Sequence, residues 1–428
     1  MMSMKVYYLL RGFVCLLLFV SFSVNAVLVD QPELTRLDLF TESTQGRDIL
    51  IDGDIAYIAA GYDGLYVLDV SDPPNSRVIG HLRSYDFGLS GYSLFTVTKD
   101  GNAVFCGFRS TFGGAGDGYL RVVDVSNLTT SGLEIGSSQL YFNYGTDTLM
   151  GRTTGSFLDN ENKRLYLALR LAGLVVVDVS DPDNLSIVGR YASPVPYEFQ
   201  EVILLKEHNR AYIGAWGKTV LAIDISDPSP ENWTQLQLPV AVFDTRNWYL
   251  ETDGRYLYVP TIDSPSDNTY DEGLLVYDLT PNFADATVPP ELIGFTSIPP
   301  QFQCESGPGG GQEGQRGSDP GPHQILLTGA YAVLANGCKG IVVFNITDPT
   351  NPVYERSYEI PFEFDEPSST VETTEYPWSL ALKGDYLLSV GVSNPDQNTG
   401  HDLMVFRVSP DDDNDRLLDA LLLLLLTI

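Results

Sequence analysis

The chain of 428 residues is 43 % hydrophobic and 11 % aromatic, enough apolar material for a large buried core. Its 56 acidic residues outnumber 25 basic ones, a formal net charge of −31. Such a body repels nucleic acid and anionic membrane surfaces, because phosphate recognition needs a basic face. Cations, basic partners or a saline exterior suit it, unless the acidity serves only solubility.

Residues 1–26 read as an export signal. Lys5 and Arg11 precede the apolar run from Val14 to Phe22, and Val24-Asn25-Ala26 is a small-residue cleavage site. The run is too short for a confident membrane-spanning helix. A mature chain beginning at Val27 loses Cys15 with the signal.

Leu34 to Phe40 comes next, a strand with no unit of its own. Then a phrase repeats. Gly64-Leu65-Tyr66-Val67-Leu68-Asp69-Val70-Ser71-Asp72-Pro73 returns as Gly173-Leu174-Val175-Val176-Val177-Asp178-Val179-Ser180-Asp181-Pro182, and weaker copies end at Asn127, Pro228, Pro281 and Pro349. The β-branched aliphatic run suits a strand buried on both faces. Ser-Asp-Pro then stops it, since Asp and Ser bond nearby backbone and Pro cannot donate to a ladder.

Aromatic-rich runs such as Ala56 to Ala60 and Leu165 to Leu169 predict a second strand upstream of each copy. Earlier apolar runs close on hairpin turns such as Thr252-Asp253-Gly254, and runs such as Arg77 to Leu82 predict a fourth strand after the Pro. Four short antiparallel strands recurring every roughly 45 to 65 residues define a propeller blade. Asp69, Asp124, Asp178, Asp224 and Asp278 mark five units, with Asn345 and Arg407 in the matching places of two more. The expected fold is therefore an all-β, seven-bladed propeller over residues 27–409. Its last unit lacks a fourth strand, so the N-terminal strand is expected to pair there and close the ring, which removes exposed edges.

With an AYIA-type strand before it and a VIGHL-type strand after it, GLYVLDVSDP resembles the repeats of the LVIVD-repeat family of secreted, propeller-forming proteins. The resemblance runs from residue 33 to residue 408, with units two, five and seven departing from the consensus. It implies the architecture and carries over no catalytic residue.

Repetition also assigns the marker aspartates: a group present once per blade is a structural device, here a strand-end carboxylate accepting backbone N–H bonds in a turn. Function belongs in the long connections at residues 110–118, 263–273, 299–322, 361–375 and 393–402, most of which fall on one rim. Cys106 is expected as a small buried hydrophobe in a second strand. Cys304 and Cys338 lie in loops of one face, either joined by a disulfide or as free thiols. Of four histidines, His81, His208, His323 and His401, no pair has metal-ligand spacing. His323 is the candidate for the channel mouth, because it enters an innermost strand, with a solvated loop histidine as the plainer expectation. No Gly-x-Ser-x-Gly elbow, complete Gly-x-x-x-x-Gly-Lys-Ser/Thr phosphate-binding loop or Cys-x-x-Cys pair occurs.

The tail, residues 410–428, holds the one metal-type spacing. Asp411, Asp413, Asp415 and Asp419 alternate as calcium-loop carboxylates do, and the segment resembles the calcium loops of thrombospondin type 3 repeats. Arg416 stands where that pattern has Gly. A solvated acidic tail is the competing reading. Asn127, Asn184, Asn232 and Asn345 head glycosylation sequons that matter only in a glycosylating source.

Two functions fit. One is a secreted or cell-surface, non-catalytic scaffold, monomeric, that binds a protein or glycan through its loop-rich rim. The other is a metal-dependent propeller hydrolase or lyase of the lactonase kind. Three or more convergent carboxylate, Asn or His side chains from different blades in the channel would favour catalysis; an aliphatic lining would count against it.

Overall fold

Each repeat unit forms one four-stranded antiparallel sheet, and seven such sheets stand in a ring. The architecture is taken from a computed structural model that describes residues 34–37, 39, 46–110, 116–128, 132–144, 151–195, 197–216, 219–238, 249–261, 272–300, 323–337, 340–358, 376–392 and 403–407. The expected export signal at residues 1–26, Cys304, Cys338 and the acidic tail lie outside them.

From the axis outward, blade 1 is β2 (Asp48–Asp52), β3 (Ile55–Ala59), β4 (Leu65–Asp69) and β5 (Arg77–Leu82). Blade 2 is β6 (Tyr92–Asp100), β7 (Ala103–Ser110), β8 (Gly118–Asp124) and β9 (Glu134–Phe142). Blade 3 is β10 (Gly155–Asp159), β11 (Arg164–Ala168), β12 (Leu174–Asp178) and β13 (Ser186–Tyr191). Blade 4 is β14 (Glu198–Leu205), β15 (Arg210–Trp216), β16 (Thr219–Asp224) and β17 (Thr234–Gln237). Blade 5 is β18 (Glu251–Thr252), β19 (Tyr256–Thr261), β20 (Gly273–Asp278) and β21 (Glu291–Ser297), with the short helix α1 (Thr280–Ala284) before its last strand. Blade 6 is β22 (Ile325–Thr328), β23 (Tyr331–Ala335), β24 (Ile341–Asn345) and β25 (Val353–Tyr358).

Blade 7 takes β26 (Tyr376–Lys383), β27 (Tyr386–Val392) and β28 (Leu403–Arg407), and its outermost strand is β1 (Leu34–Leu37). Leu34 pairs with Phe406 and Leu37 with Leu403, antiparallel. The expected closure is thus present: first and last strands share a sheet, and no edge is left where the ring meets itself.

The continuous aliphatic runs follow from where the core sits. It is divided among the blade interfaces. Along β12, Val175 and Val177 face blade 2, whereas Leu174 and Val176 face blade 4. A strand sandwiched between two neighbours needs apolar residues on both faces, so period-two alternation is absent. Each fully buried Val or Leu contributes about 1.5–3 kcal/mol. Seven clusters of this kind join the blades in succession around the ring. Cys106 belongs to the one between blades 1 and 2, fully buried, and burial pushes its thiol pKa up.

The marker aspartates do what repetition implies. Asp69 Oδ1 accepts Ser71 N–H at 3.1 Å and Ser71 Oγ–H at 2.7 Å. Asp124, Asp178, Asp224, Asp278 and Asn345 each accept the N–H two residues on, at 2.7–3.0 Å. Two glycines have backbone reasons. Gly173, which opens the repeated phrase, has φ +90°, and a Cβ there would lie 2.1 Å from the Tyr191 carbonyl oxygen. At Gly294 in β21 a Cβ would lie 2.4 Å from the Pro349 carbonyl oxygen of the next blade, so only glycine lets that blade's turn dock. Among the described residues no helix is long and apolar enough to cross a membrane.

Candidate functional site

The strand directions give the ring two unlike faces. One carries the short hairpin turns and the Asp-Ser turns. The other receives the connections between blades and those between second and third strands. The three longest connections, residues 238–250, 298–324 and 359–375, all join strand ends on this loop face.

The mouth of the central channel lies at the loop face, built from equivalent positions of the innermost strands. Asp48 pairs with Ala59, Thr96 with Gly107, Gly155 with Ala168, Glu201 with Gly214 and Ser379 with Val390. The Gln324 carbonyl accepts Ala335 N–H at 2.8 Å, and Tyr249 stands two residues before Glu251, which pairs with Tyr258. One layer therefore reads Asp48, Thr96, Gly155, Glu201, Tyr249, Gln324, Ser379. Glu251 lies one step deeper.

Part of this layer clasps neighbouring blades. Ser379 Oγ–H donates to Gln324 Oε1 at 2.7 Å, and Leu380 N–H of blade 7 donates to the same oxygen. Ile49 N–H of blade 1 donates to Ser379 Oγ at 3.2 Å, and Val97 N–H of blade 2 donates to Asp48 Oδ2 at 2.9 Å. A side chain at the same register in three successive blades thus satisfies the following blade's amide. Glu201 and Glu251 instead accept the N–H of their own next residues, Val202 at 2.9 Å and Thr252 at 3.0 Å.

Above the layer sits an aromatic plug. Innermost strands 2, 4 and 7 each hold an extra residue at the same register, Phe95, Gln200 and Trp378, where the ladder skips a pair. Trp378 Nε1–H donates to the Tyr249 hydroxyl at 3.0 Å. His323 stacks on Trp378 with centroids 3.8 Å apart and planes 18° apart, and the Arg47 guanidinium carbon lies 4.1 Å from the Trp378 ring. Phe95 meets Trp378 edge-on at 6.2 Å, although blade 1 stands between their blades. His323 is fully buried, so the expectation of a solvated loop histidine fails; its partner ring is contributed by blade 7, far along the chain.

The electrostatics set this mouth apart. Asp48, Glu201, Glu251 and Tyr249 are half-buried: water reaches them, yet protein surrounds them and desolvates their charge. Burial raises the Asp48 carboxyl to about 6, against the amide and hydroxyl bonds that favour its anion. Glu201 lies well above the usual carboxylate range through burial, reinforced by the like charges of Asp48 and Glu251. Glu251 is raised by burial, and the Tyr249 phenol by burial and then by Glu201 and Asp48. Carboxylates of blades 1, 4 and 5 therefore sense one another across a shared space. The channel mouth is polar, with carboxylates of three blades near enough to influence one another, but among the described residues no three His, Cys, Asp or Glu side chains are grouped closely enough to hold the metal ion of the catalytic alternative.

Of the residues singled out in sequence, the structure brings His323 to this mouth and describes neither the tail aspartates nor the cysteine pair. Sequence reading missed Asp48, Glu201, Tyr249 and Glu251. A signal existed: Asp48, Thr96, Tyr249, Gln324 and Ser379 each lie nine residues before the third residue of their blade's second strand, whereas Gly155 and Glu201 lie eleven before it. The two extra residues belong to the longer hairpin turns at 160–163 and 206–209.

Comparison with known proteins bears on architecture. A family model for the LVIVD repeat matches residues 45–81, 114–136, 163–193, 207–232 and 323–360. The chain therefore carries LVIVD repeats in blades 1, 2, 3, 4 and 6; blade 2 matches despite its irregular phrase, and blades 5 and 7 do not. No curated protein matches it. Among solved structures, the RRP9 WD40 repeats share 11 % identity at a TM-score of 0.59, covering 89 % of this chain and 98 % of theirs. The computationally designed Ika8 protein shares 11 % at 0.51, covering 88 % and 99 %. A provisionally named 6-phosphogluconolactonase from Bacteroides uniformis shares 13 % at 0.52, covering 76 % and 86 %. At such identities the likeness is one of fold. The protein is a seven-bladed β-propeller carrying LVIVD repeats.

Proposed function

We propose that the chain is a secreted or cell-surface propeller, extracellular or periplasmic and monomeric, that acts as a non-catalytic scaffold and binds a protein or glycan through its loop face. The asymmetry of the two faces carries this reading. Short turns close one face, while the three longest connections leave from the other. A rigid ring that presents long segments on a single face is suited to recognition. Calcium at Asp411, Asp413, Asp415 and Asp419 would order the tail beyond the last blade.

The test compares the wild-type chain with one in which residues 301–322 and 359–375 are replaced by short Gly/Ser linkers, on arrays of glycans and extracellular proteins. The expected result is a specific wild-type ligand that the shortened chain no longer binds while keeping its melting temperature. Full binding by the shortened chain would refute the assignment to the loop face. Calorimetry with calcium, comparing the full chain with one ending at residue 409, tests the tail.

The convergence of Asp48, Glu201 and Glu251 favours a second reading, a hydrolase or lyase of the lactonase kind. Lactone turnover by the wild type that Glu201→Gln abolishes would put this reading first.

A further inference from the structure

We infer that the loop-face end of blade 2 is a binding site for a neutral saccharide, built from Asp117, Tyr92, Tyr119 and Tyr141. It shares the loop face with the scaffold reading but rests on none of the connections between blades 4 and 7. Blade 2 departs from its neighbours here. In blades 1, 3 and 6 the ladder of second and third strands ends at the register of the mouth, on the pairs Ala59–Leu65, Ala168–Leu174 and Ala335–Ile341. In blade 2 the matching pair Gly107–Leu120 is followed by Phe108–Tyr119 and Arg109–Gly118, and Ser110 N–H then donates to the Asp117 carbonyl at 2.8 Å. The sheet therefore projects further on this face, at the foot of the long connection 110–118. Tyr119 stands where Gly64, Gly173 and Gly340 open the phrase in those blades.

The extension holds one buried carboxylate among phenols. The Tyr92 and Tyr141 hydroxyls both donate to Asp117 Oδ2, at 2.8 and 2.7 Å. Tyr119 touches both rings, edge-on to Tyr92 with centroids 5.1 Å apart and tilted against Tyr141 at 4.8 Å. The bond to Asp117 raises the Tyr141 phenol pKa, and burial followed by a bond to the same carboxylate raises that of Tyr92, so both phenol hydrogens stay committed to Oδ2. Asp117 is 3 % exposed, and its Oδ1 is buried without a hydrogen bond. A carboxylate accepts through both oxygens, and a buried one left idle calls for a donor. Oδ2 already holds the hairpin to its neighbours; Oδ1 is left for a ligand.

The surroundings choose the ligand. Its donor must be small and uncharged, because Oδ1 is recessed from solvent and a charge brought there would lose its hydration. It must also offer an apolar face. Tyr141 is 47 % exposed, and its hydroxyl is fixed by Asp117 and by Asn143 Nδ2 at 3.0 Å, so its ring is a preorganised platform. Tyr62, in the loop-face turn of blade 1, and Tyr85, in the connection from blade 1 to blade 2, are exposed as well and add aromatic surface on the same side of the ring. A formal net charge of −31 repels uronic and sulfated sugars. A neutral saccharide meets all of these demands: hydroxyl donors project from a ring whose C–H faces pack on aromatic carbon.

The test is an array of neutral and anionic oligosaccharides probed with the full chain, followed by calorimetry on the neutral glycan bound most strongly. The expected result is saturable binding of that glycan, weakened about tenfold or more by Tyr141→Ala and by Asp117→Asn and only a few-fold by Tyr141→Phe, which keeps the ring. Near-ultraviolet circular dichroism verifies the fold of each variant, and Tyr141→Ala, which removes an exposed side chain, stands in should Asp117→Asn not fold. Unlike a ligand of the long connections, this glycan should stay bound by the chain shortened at 301–322 and 359–375. Loss there, with wild-type affinity in both site variants, overturns the blade 2 site and leaves the scaffold reading standing. An array with no neutral ligand overturns it too, because Oδ1 is then met by a water. So does a hexa-arginine peptide that displaces the glycan and loses its own binding in Asp117→Asn, because the site then takes a cation.

Discussion

The two faces of the ring are made from the same seven blades and carry opposite electrostatics. Turn-face carboxylates are stabilised as anions. Asp69 is lowered to about 2 by the Ser71 hydroxyl, Arg77 and the Ser71 amide, Asp178 is lowered by the Ser180 hydroxyl and amide, and Asp285 by the Thr287 amide and hydroxyl. Loop-face carboxylates are pushed the other way: Asp48, Glu201 and Glu251 are all raised by burial. The turn face repeats the same Asp-Ser device in blade after blade. Departures from repetition concentrate at the loop-face mouth, with a plug from blades 2, 5, 6 and 7 and acids from blades 1, 4 and 5. Architecture resides at the turn face and individuality at the loop face.

The largest expected effect removes what both ends share. Deleting residues 27–41 takes away β1, leaves β28 as an unpaired edge and opens the ring. The melting temperature measured by circular dichroism should fall by roughly 10 °C or more, or the cooperative transition should vanish. A truncated chain melting like the parent would show that closure does not hold either end together. Next in size is Trp378→Ala, which strips the stack on His323 and the bond to Tyr249 from the mouth alone. A loss of about 3–5 kcal/mol is expected in denaturant unfolding, against about 1 kcal/mol for Trp378→Phe, which keeps an aromatic ring but not the N–H.

The contrast between the ends also explains what was legible in the sequence. The blade is written locally: LVVVD announces a strand buried on both faces, and each Asp finds its partner two residues away. Seven blades and the closing strand follow by counting such units. The mouth is written across the whole chain. Tyr249 and Trp378 meet there from blades 5 and 7, and Glu201 senses Asp48 from blade 1. Unequal hairpin turns and bulges at Phe95, Gln200 and Trp378 shift these residues out of step with the repeat. His323 could be placed at the mouth from its unit alone, but the ring that buries it could not.

A third prediction uses pH to separate the ends. Asp48 titrates near 6 in the folded protein against 3.8 ordinarily, so between those values the folded state binds the extra proton. Its contribution is most favourable below pH 3.8 and is lost as pH rises through 6. Glu201 and Glu251 act in the same direction. Asp69 acts oppositely: its contribution is present above pH 3.8 and disappears as pH falls through about 2. Asp48→Asn keeps an oxygen for Val97 N–H and removes the charge. Unfolding free energies at pH 4, 5, 6 and 7 should show the variant gaining on the wild type as pH rises, by at most about 3 kcal/mol at pH 7. A constant difference across that range would mean that the mouth does not desolvate Asp48.

The smallest effect is expected at the turn face. Lys163 Nζ lies 2.6 Å from Asp100 Oδ2, with 40 % of the lysine side chain and 23 % of the aspartate exposed. Solvent screens such a pair, and holding a long side chain in place costs entropy, so the net contribution is about 0–1 kcal/mol. Lys163→Ala should therefore lower stability by no more than that, and the difference should shrink between 50 mM and 1 M salt. The pair also bridges blades 2 and 3, as Lys99–Asp52 bridges blades 1 and 2 and Lys206–Asp159 bridges blades 3 and 4. If these clasps cooperate around the ring, Lys99→Ala, Lys163→Ala and Lys206→Ala together should cost more than the sum of the singles. Additive losses would make each turn-face ion pair an independent clasp between its own two blades, on a ring held by its seven apolar interfaces.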